Sequence, residues 1–241
     1  MKRTLCLFAL VAALLPLLPL RCAAENPLTP VLKRGGYTVS LDLKVSKKKP
    51  DSLQRVLELL GDTGPNAFAT GFVVGDGLVM TAYHVVSGEL SAYKKRMLGF
   101  APRDQLKVDA FVKGCQATVL RVDPEADLAL LQVCRSQKRE GAPAFQASPV
   151  AAEKLLVIAR PNGDRTVRHG TFSGPYKLGN RDYLAVKVDG RDGFSGSPVY
   201  NDRGEIVGVF SGYDWVQNVA VVSPGTRAQK LLEDYASAAK Q

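Results

Sequence analysis

The stretch "ATGFVVGDGLVMTAYHVV", residues 69–86, consists of two apolar runs on either side of a glycine-bearing centre. "FATGFVV" and "LVMTA" are each long enough for one strand, and Gly75 to Gly77 supply the tight turn between them, so the segment reads as a β-hairpin. The same rhythm continues outward. "CQATVLRV", "DLALLQVC", "KLLVIAR", "RTVRHGTFSG", "YLAVKV", "SPVYN" and "EIVGVFSG" are further short apolar runs, with another turn at Asp202 to Gly204. Many short strands at close spacing make an all-β barrel or sandwich from about Asn66 onward. Only the end departs from this pattern: "SPGTRAQKLLEDYASAAK", 223–240, reads as a C-terminal helix capped near Ser223 or Thr226.

Upstream the chain changes character. "YTVSLDLKVS", 37–46, alternates as a strand does, and "PDSLQRVLELLG", 50–61, carries Leu53, Val56, Leu57 and Leu60 at helical spacing. Residues 25–63 are therefore expected to form a short extension of one strand and one helix before a domain at 64–241. The first 24 residues pair a basic start, Lys2 and Arg3, with an apolar run and small residues at Cys22 and Ala24, the pattern of a secretory signal peptide cut after Ala24. A membrane anchor is the competing reading, but the apolar run from Leu5 to Leu20 is short against the roughly 20 residues a span needs. No later run is long enough, so the mature chain is expected to be exported, periplasmic or secreted, without a stable membrane span.

Losing Lys2, Arg3 and Arg21 takes the formal charge from +9 to +6, a mild and scattered excess that does not point to nucleic acid. Two basic clusters, 44–50 and 93–97, read as solvated loops in preference to an anion-binding site. Cys115 and Cys134 flank a hairpin whose turn, Asp123 to Ala126, lies midway between them. Equal arms would set the thiols opposite each other, and an exported chain meets conditions that oxidise such a pair.

Three positions carry chemistry. Ser195 lies in "GFSGSP", 193–198, a serine between glycines on a tight bend. A serine hydroxyl is a poor nucleophile without a neighbouring base and a group that orients the base. Of the two histidines, His84 sits where an apolar strand ends and the chain turns, whereas His169 lies in an alternating strand that presents it to water. Asp127 opens the apolar run "DLALLQV", where a carboxylate at the core edge needs a partner. Asp123, before Pro124, reads as a turn opener and ranks second. The amides of Gly193 and Ser195 can converge on one point as an oxyanion hole.

Together "TAYHVV", "DLALL" and "GFSGSP", in that order, resemble the trypsin-like serine proteases of the chymotrypsin fold, over about residues 66–232. "ATGFVVGDGLVMTAYHVV" and "VDPEADLALLQV" look like the HtrA protease domain, and "SGSPVYNDRGEIVGVFSG" also looks like the glutamyl endopeptidase branch. The resemblance implies two six-stranded antiparallel barrels with the site in the crevice between them. It implies His84 as general base, Asp127 as its orienter, Ser195 as nucleophile, and Gly193 with Ser195 as oxyanion donors. Substrates would be proteins or peptides, no metal or organic cofactor is needed, and the oligomeric state is left open. A protease-like scaffold with a blocked site is the alternative function.

The chain also departs from the family pattern. Phe194 stands where members usually carry Asp or Asn, so activation by an ion pair to a freed N-terminus is not expected. HtrA proteins usually carry a following PDZ domain, for which the chain beyond about Leu232 leaves no room. Glutamyl endopeptidases read an acidic residue with a histidine in the strand after the nucleophile, where this chain has Phe210, Ser211 and Gly212 as substrate-binding candidates. Asp189, six residues before Ser195, is at the offset of a carboxylate that would select Lys or Arg. A turn-capping aspartate in "DGRDG" is the preferred reading of it.

Overall fold

A computed structural model describes residues 37–50, Arg55, 66–134 and 144–239. The expected signal peptide lies outside these residues, as does nearly all of the helix expected over 50–61. Two β units follow one another along the chain, and where two closed barrels were expected the first is a curled, unclosed sheet, called the first barrel below, and only the second is closed. The first comprises β1 (Thr38–Lys47), β2 (Ala67–Gly75), β3 (Leu78–Ala82), β4 (Leu106–Val112), β5 (Cys115–Gln116), β6 (Thr118–Asp123) and β7 (Leu128–Gln132), laddered in the order β5-β4-β1-β2-β3-β7-β6. The second comprises β8 (Lys154–Ala159), β9 (Thr166–Leu178), β10 (Arg181–Lys187), β11 (Pro198–Tyr200), β12 (Ile206–Asp214) and β13 (Val219–Pro224), and it closes fully in the order β10-β13-β12-β11-β8-β9.

The first sheet has seven strands where six were expected, and the reason is local. β5 and β6 are one run of chain interrupted only at Ala117, whose amide turns to the Ala110 carbonyl at 2.8 Å. β5 pairs with β4 and β6 pairs with β7, so the two ends of the ladder meet in the same stretch. The Cys115–Cys134 disulfide, with Cα atoms 6.1 Å apart, ties that stretch to the residues just after β7. β1 corresponds to the strand expected within the N-terminal extension. It pairs with both β2 and β4, so it is an interior strand of the first barrel rather than an appendage to it.

Burial explains which runs alternate and which do not. β1 faces the core with Val39, Leu41, Leu43 and Val45 and turns the residues between them outward, the period of two of a strand covered on one face. β7 is apolar from Leu128 to Leu131 because that stretch is covered on both faces. Ala129 and Leu131 join the interior of the first barrel, whereas Leu128 and Leu130 join a second cluster with Leu156, Ile158, Tyr200 and Ile206 of the other barrel. That second cluster is the seam between the units, and Ala228 and Leu231 of the C-terminal helix seal its edge. The second barrel has its own core around Val157, Val199, Phe194, Phe210 and Val222.

Among the described residues, three α-helices, α1 (His84–Ser87), α2 (Ala92–Met97) and α3 (Gly225–Ala238), and a short 3-10 helix at Pro161–Gly163 complete the fold. α3 begins without the side-chain cap expected of Ser223 or Thr226. The Ser223 hydroxyl instead donates to the Ala126 carbonyl across the seam. The basic run 93–97 is α2 rather than a loop, capped by Ser91, which accepts from the Lys94 amide at 3.2 Å. The basic run at 44–50 begins within β1, where Lys47 pairs with Asp104 at 3.4 Å. Among the described residues, no helix is long and apolar enough to cross a membrane.

Candidate active site

His84 opens α1 directly after β3, on the seam, and the turn between β6 and β7 brings Asp127 to it. Asp127 takes a left-handed conformation, φ 54°, that aims both its carbonyl and its carboxylate at the start of α1. Its carbonyl accepts from the Tyr83 amide at 3.0 Å, Oδ1 accepts from the His84 amide at 2.8 Å, and Oδ2 lies 2.8 Å from His84 Nδ1. Three contacts from one residue fix the backbone and the ring of His84 together. A carboxylate opposite Nδ1 keeps the proton on that nitrogen, so Nε2 presents its lone pair. Ser195 Oγ lies 2.9 Å from Nε2. Expected from three separate parts of the sequence, these side chains form one continuous hydrogen-bonded chain.

The turn containing Asp127 is braced from both sides. Asp123 Oδ1 accepts from the Ala126 amide at 3.1 Å, and the Asp123 carboxylate is gripped by Arg227 of α3, with Nε at 2.9 Å and Nη2 at 2.6 Å. Ser223, fully buried, holds the Ala126 carbonyl and lies 2.7 Å from the Ser211 hydroxyl. Asp123, the second-ranked carboxylate, therefore supports the turn and does not reach His84. His169 is exposed on β9, far along the chain from this site and paired across the ladder with Leu156.

The segment before Ser195 is a type II turn. The Phe194 amide donates to the Arg191 carbonyl at 3.2 Å, and Gly193 occupies the third position with φ 83°, a conformation that only glycine adopts without strain. A Cβ at 193 would also lie 2.7 Å from the Phe68 ring and from Pro161 Cβ. Among the described residues, neither the Gly193 amide nor the Ser195 amide donates to protein, so both remain available to a ligand oxygen. Phe194 is 1% exposed and meets Phe210 edge-on at 5.9 Å between ring centroids, inside the second barrel's core. Where the resemblance leads one to look for an acid, an apolar anchor holds the turn.

Thr70, which nothing in the sequence marked out, docks this turn on the first barrel. Its amide donates to the Ser195 carbonyl at 2.9 Å and its hydroxyl to the Gly193 carbonyl at 2.7 Å, while the hydroxyl oxygen accepts from the Arg160 amide at 3.0 Å. Gly196 fits tightly beneath, since a Cβ there would lie 2.1 Å from the Thr70 carbonyl.

The expected substrate-binding positions fall on the other side of Ser195. Phe210 is buried, Ser211 directs its hydroxyl to Ser223, and Gly212 is open on the surface of β12. Asp189 is exposed and, among the described residues, makes no hydrogen bond or ion pair.

The family model described as "Trypsin-like peptidase domain" matches residues 69–209. Protease Do-like 2, chloroplastic, of Arabidopsis thaliana is 30% identical over 179 residues, covering 69% of this chain and 28% of that protein. Serine protease Rv3671c of Mycobacterium tuberculosis is 28% identical over 178 residues, covering 68% of this chain and 41% of that protein. This chain thus spans well under half the length of either relative. The crystal structure of the Rv3671c protease in its active form superposes with a TM-score of 0.60 at 20% identity, covering 85% of this chain and 83% of the other, a likeness of fold.

Proposed function

The chain belongs to the trypsin-like peptidase family, and on that premise we propose that it is an exported serine endopeptidase that cuts polypeptides through an acyl-enzyme. One observation carries the reading: the unbroken run from Asp127 through His84 to Ser195 beside two unused amides. His84 Nε2 takes the proton from Ser195 as Oγ attacks the substrate carbonyl, and Asp127 stabilises the imidazolium that results. The negative oxygen of the tetrahedral intermediate rests on the Gly193 and Ser195 amides. Loss of one such donor costs about 100- to 1000-fold in rate. His84 then gives its proton to the departing amine, leaving the acyl group on Ser195. Water, deprotonated by the same nitrogen, releases that group and restores the hydroxyl.

Export is supported by the apolar start of the sequence and by the disulfide, since such bonds persist where thiols are oxidised. Residues 1–24 are then the segment removed. The test of the catalytic reading is labelling by a fluorophosphonate probe. Wild type is expected to take the label, and Ser195→Ala and His84→Ala are not. An unlabelled wild type, with the disulfide either intact or reduced, would overturn it.

A further inference from the structure

Gly190 lies on the segment that leads from β10 into the type II turn, and β12 fills the space beside it. A Cβ at 190 would lie 2.7 Å from Tyr213 Cδ2 and 2.9 Å from Phe210 Cζ. The gap between this segment and β12 is therefore occupied by two aromatic rings. Phe210 is fixed by burial and by its edge contact with Phe194. Tyr213 is partly buried against the second barrel's core and has two partners of its own nearer the surface. Its ring centroid is 4.5 Å from that of Trp215, and its hydroxyl donates to Asn218 Oδ1 at 2.5 Å. Swinging the ring aside would break both contacts.

An acyl oxygen seated on the Gly193 and Ser195 amides sends the side chain of its residue toward the segment before the turn and the strand facing it. We propose that Tyr213 is a specificity-determining residue that shuts this gap, so that the residue before the scissile bond is small and uncharged: glycine, alanine or serine. The inference rests on the peptidase reading above. Asp189 does not offset the steric wall, because an exposed carboxylate in water attracts a substrate ammonium only weakly. The wall discriminates more sharply. A single methylene in a closed pocket is worth about 10- to 200-fold, and a benzyl group adds several.

Peptide boronic acids that end in the alanine, phenylalanine or lysine analogue are to compete with fluorophosphonate labelling of the full chain. The alanine compound is expected to protect wild type at concentrations at least about 100-fold below the other two. Tyr213→Gly is expected to improve protection by the phenylalanine compound at least about 10-fold, and Tyr213→Phe, which keeps the ring, to retain the alanine preference. Equal protection by all three compounds, no protection by the alanine compound, or an unchanged ranking in a labelled Tyr213→Gly protein would overturn the proposal. The wild-type ranking decides the matter even if the glycine variant does not fold. A wild type that takes no label sinks the peptidase reading itself, which is a distinct result.

Discussion

The hydroxyl of Thr70, on the second strand of the first barrel, donates to the carbonyl of Gly193 in the second at 2.7 Å. The bond spans 123 positions of sequence and fixes the height of the oxyanion turn above the barrel that carries His84. Thr70→Val keeps the shape but leaves the Gly193 carbonyl and the Arg160 amide without their partner, at about 1–3 kcal/mol for each unsatisfied group. Urea unfolding is expected to show that loss. The labelling rate is expected to fall about 10- to 100-fold, less than removal of an oxyanion donor would cause.

Phe194 serves the same turn from below. Phe194→Ala removes a fully buried ring and is expected to cost about 3–5 kcal/mol in unfolding free energy. The labelling rate of the folded fraction should fall too, because the type II turn loses its anchor. Phe194→Asp is expected to be worse on both measures, as it places a carboxylate in a core that offers it no cation.

The Asp123–Arg227 ion pair joins the C-terminal helix to the turn that carries Asp127. Arg227 is 43% exposed, so the pair contributes little to global stability, about 1 kcal/mol or less after solvent screening. Arg227→Met is therefore expected to leave the urea midpoint nearly unchanged while slowing labelling, because the turn that carries Asp127 is held less firmly. Arg227→Lys should restore only part of the rate, since an ammonium does not reproduce the two-pronged contact.

Asp214 and Tyr176 give the β12–β13 hairpin a pH window. The Tyr176 hydroxyl, at 2.6 Å, and the Gln217 and Val216 amides hold the Asp214 carboxyl below the usual carboxylate range. The same hydrogen bond, with burial and the charge of Asp214, raises the Tyr176 phenol. A depressed carboxyl stabilises above its unfolded pKa and loses that contribution as pH falls through its folded pKa. A raised phenol stabilises below its unfolded pKa, near 10, and loses it as pH rises through its folded pKa. Amide hydrogen exchange at Val216 and Gln217 is expected to show protection at neutral pH that fades below the carboxylate range. Tyr176→Phe should move the acid limb upward and remove this contribution to the alkaline limb.

Reduction of the Cys115–Cys134 bond, or Cys115→Ala, is expected to cost about 3 kcal/mol, the chain-entropy value for a loop of this order. The loss should fall on the first barrel, where the bond ties down the interrupted strand that completes the ladder.

The sequence was most legible where chemistry allows few residue types. Two histidines, one at the end of an apolar strand, and one serine between two turn glycines left little room for other choices, and the apolar runs marked nearly every strand. What stayed hidden depends on partners far away in the chain. Thr70 is an ordinary strand threonine until Gly193 lies opposite it, and Ser223 looked like a helix cap because its actual acceptor, the Ala126 carbonyl, is 97 positions away. β1 read as an extension because the segment after it separates it from the strands it joins. Phe194 stood out as a departure, but its role as an anchor emerges only when the second barrel packs around it.

A turn held by the burial of a phenyl ring is expected to be set as the barrel closes on that ring. Folding and chemical competence then run on a single clock. In a refolding experiment, the recovery of fluorophosphonate reactivity and the burial of Phe194 should share one time constant.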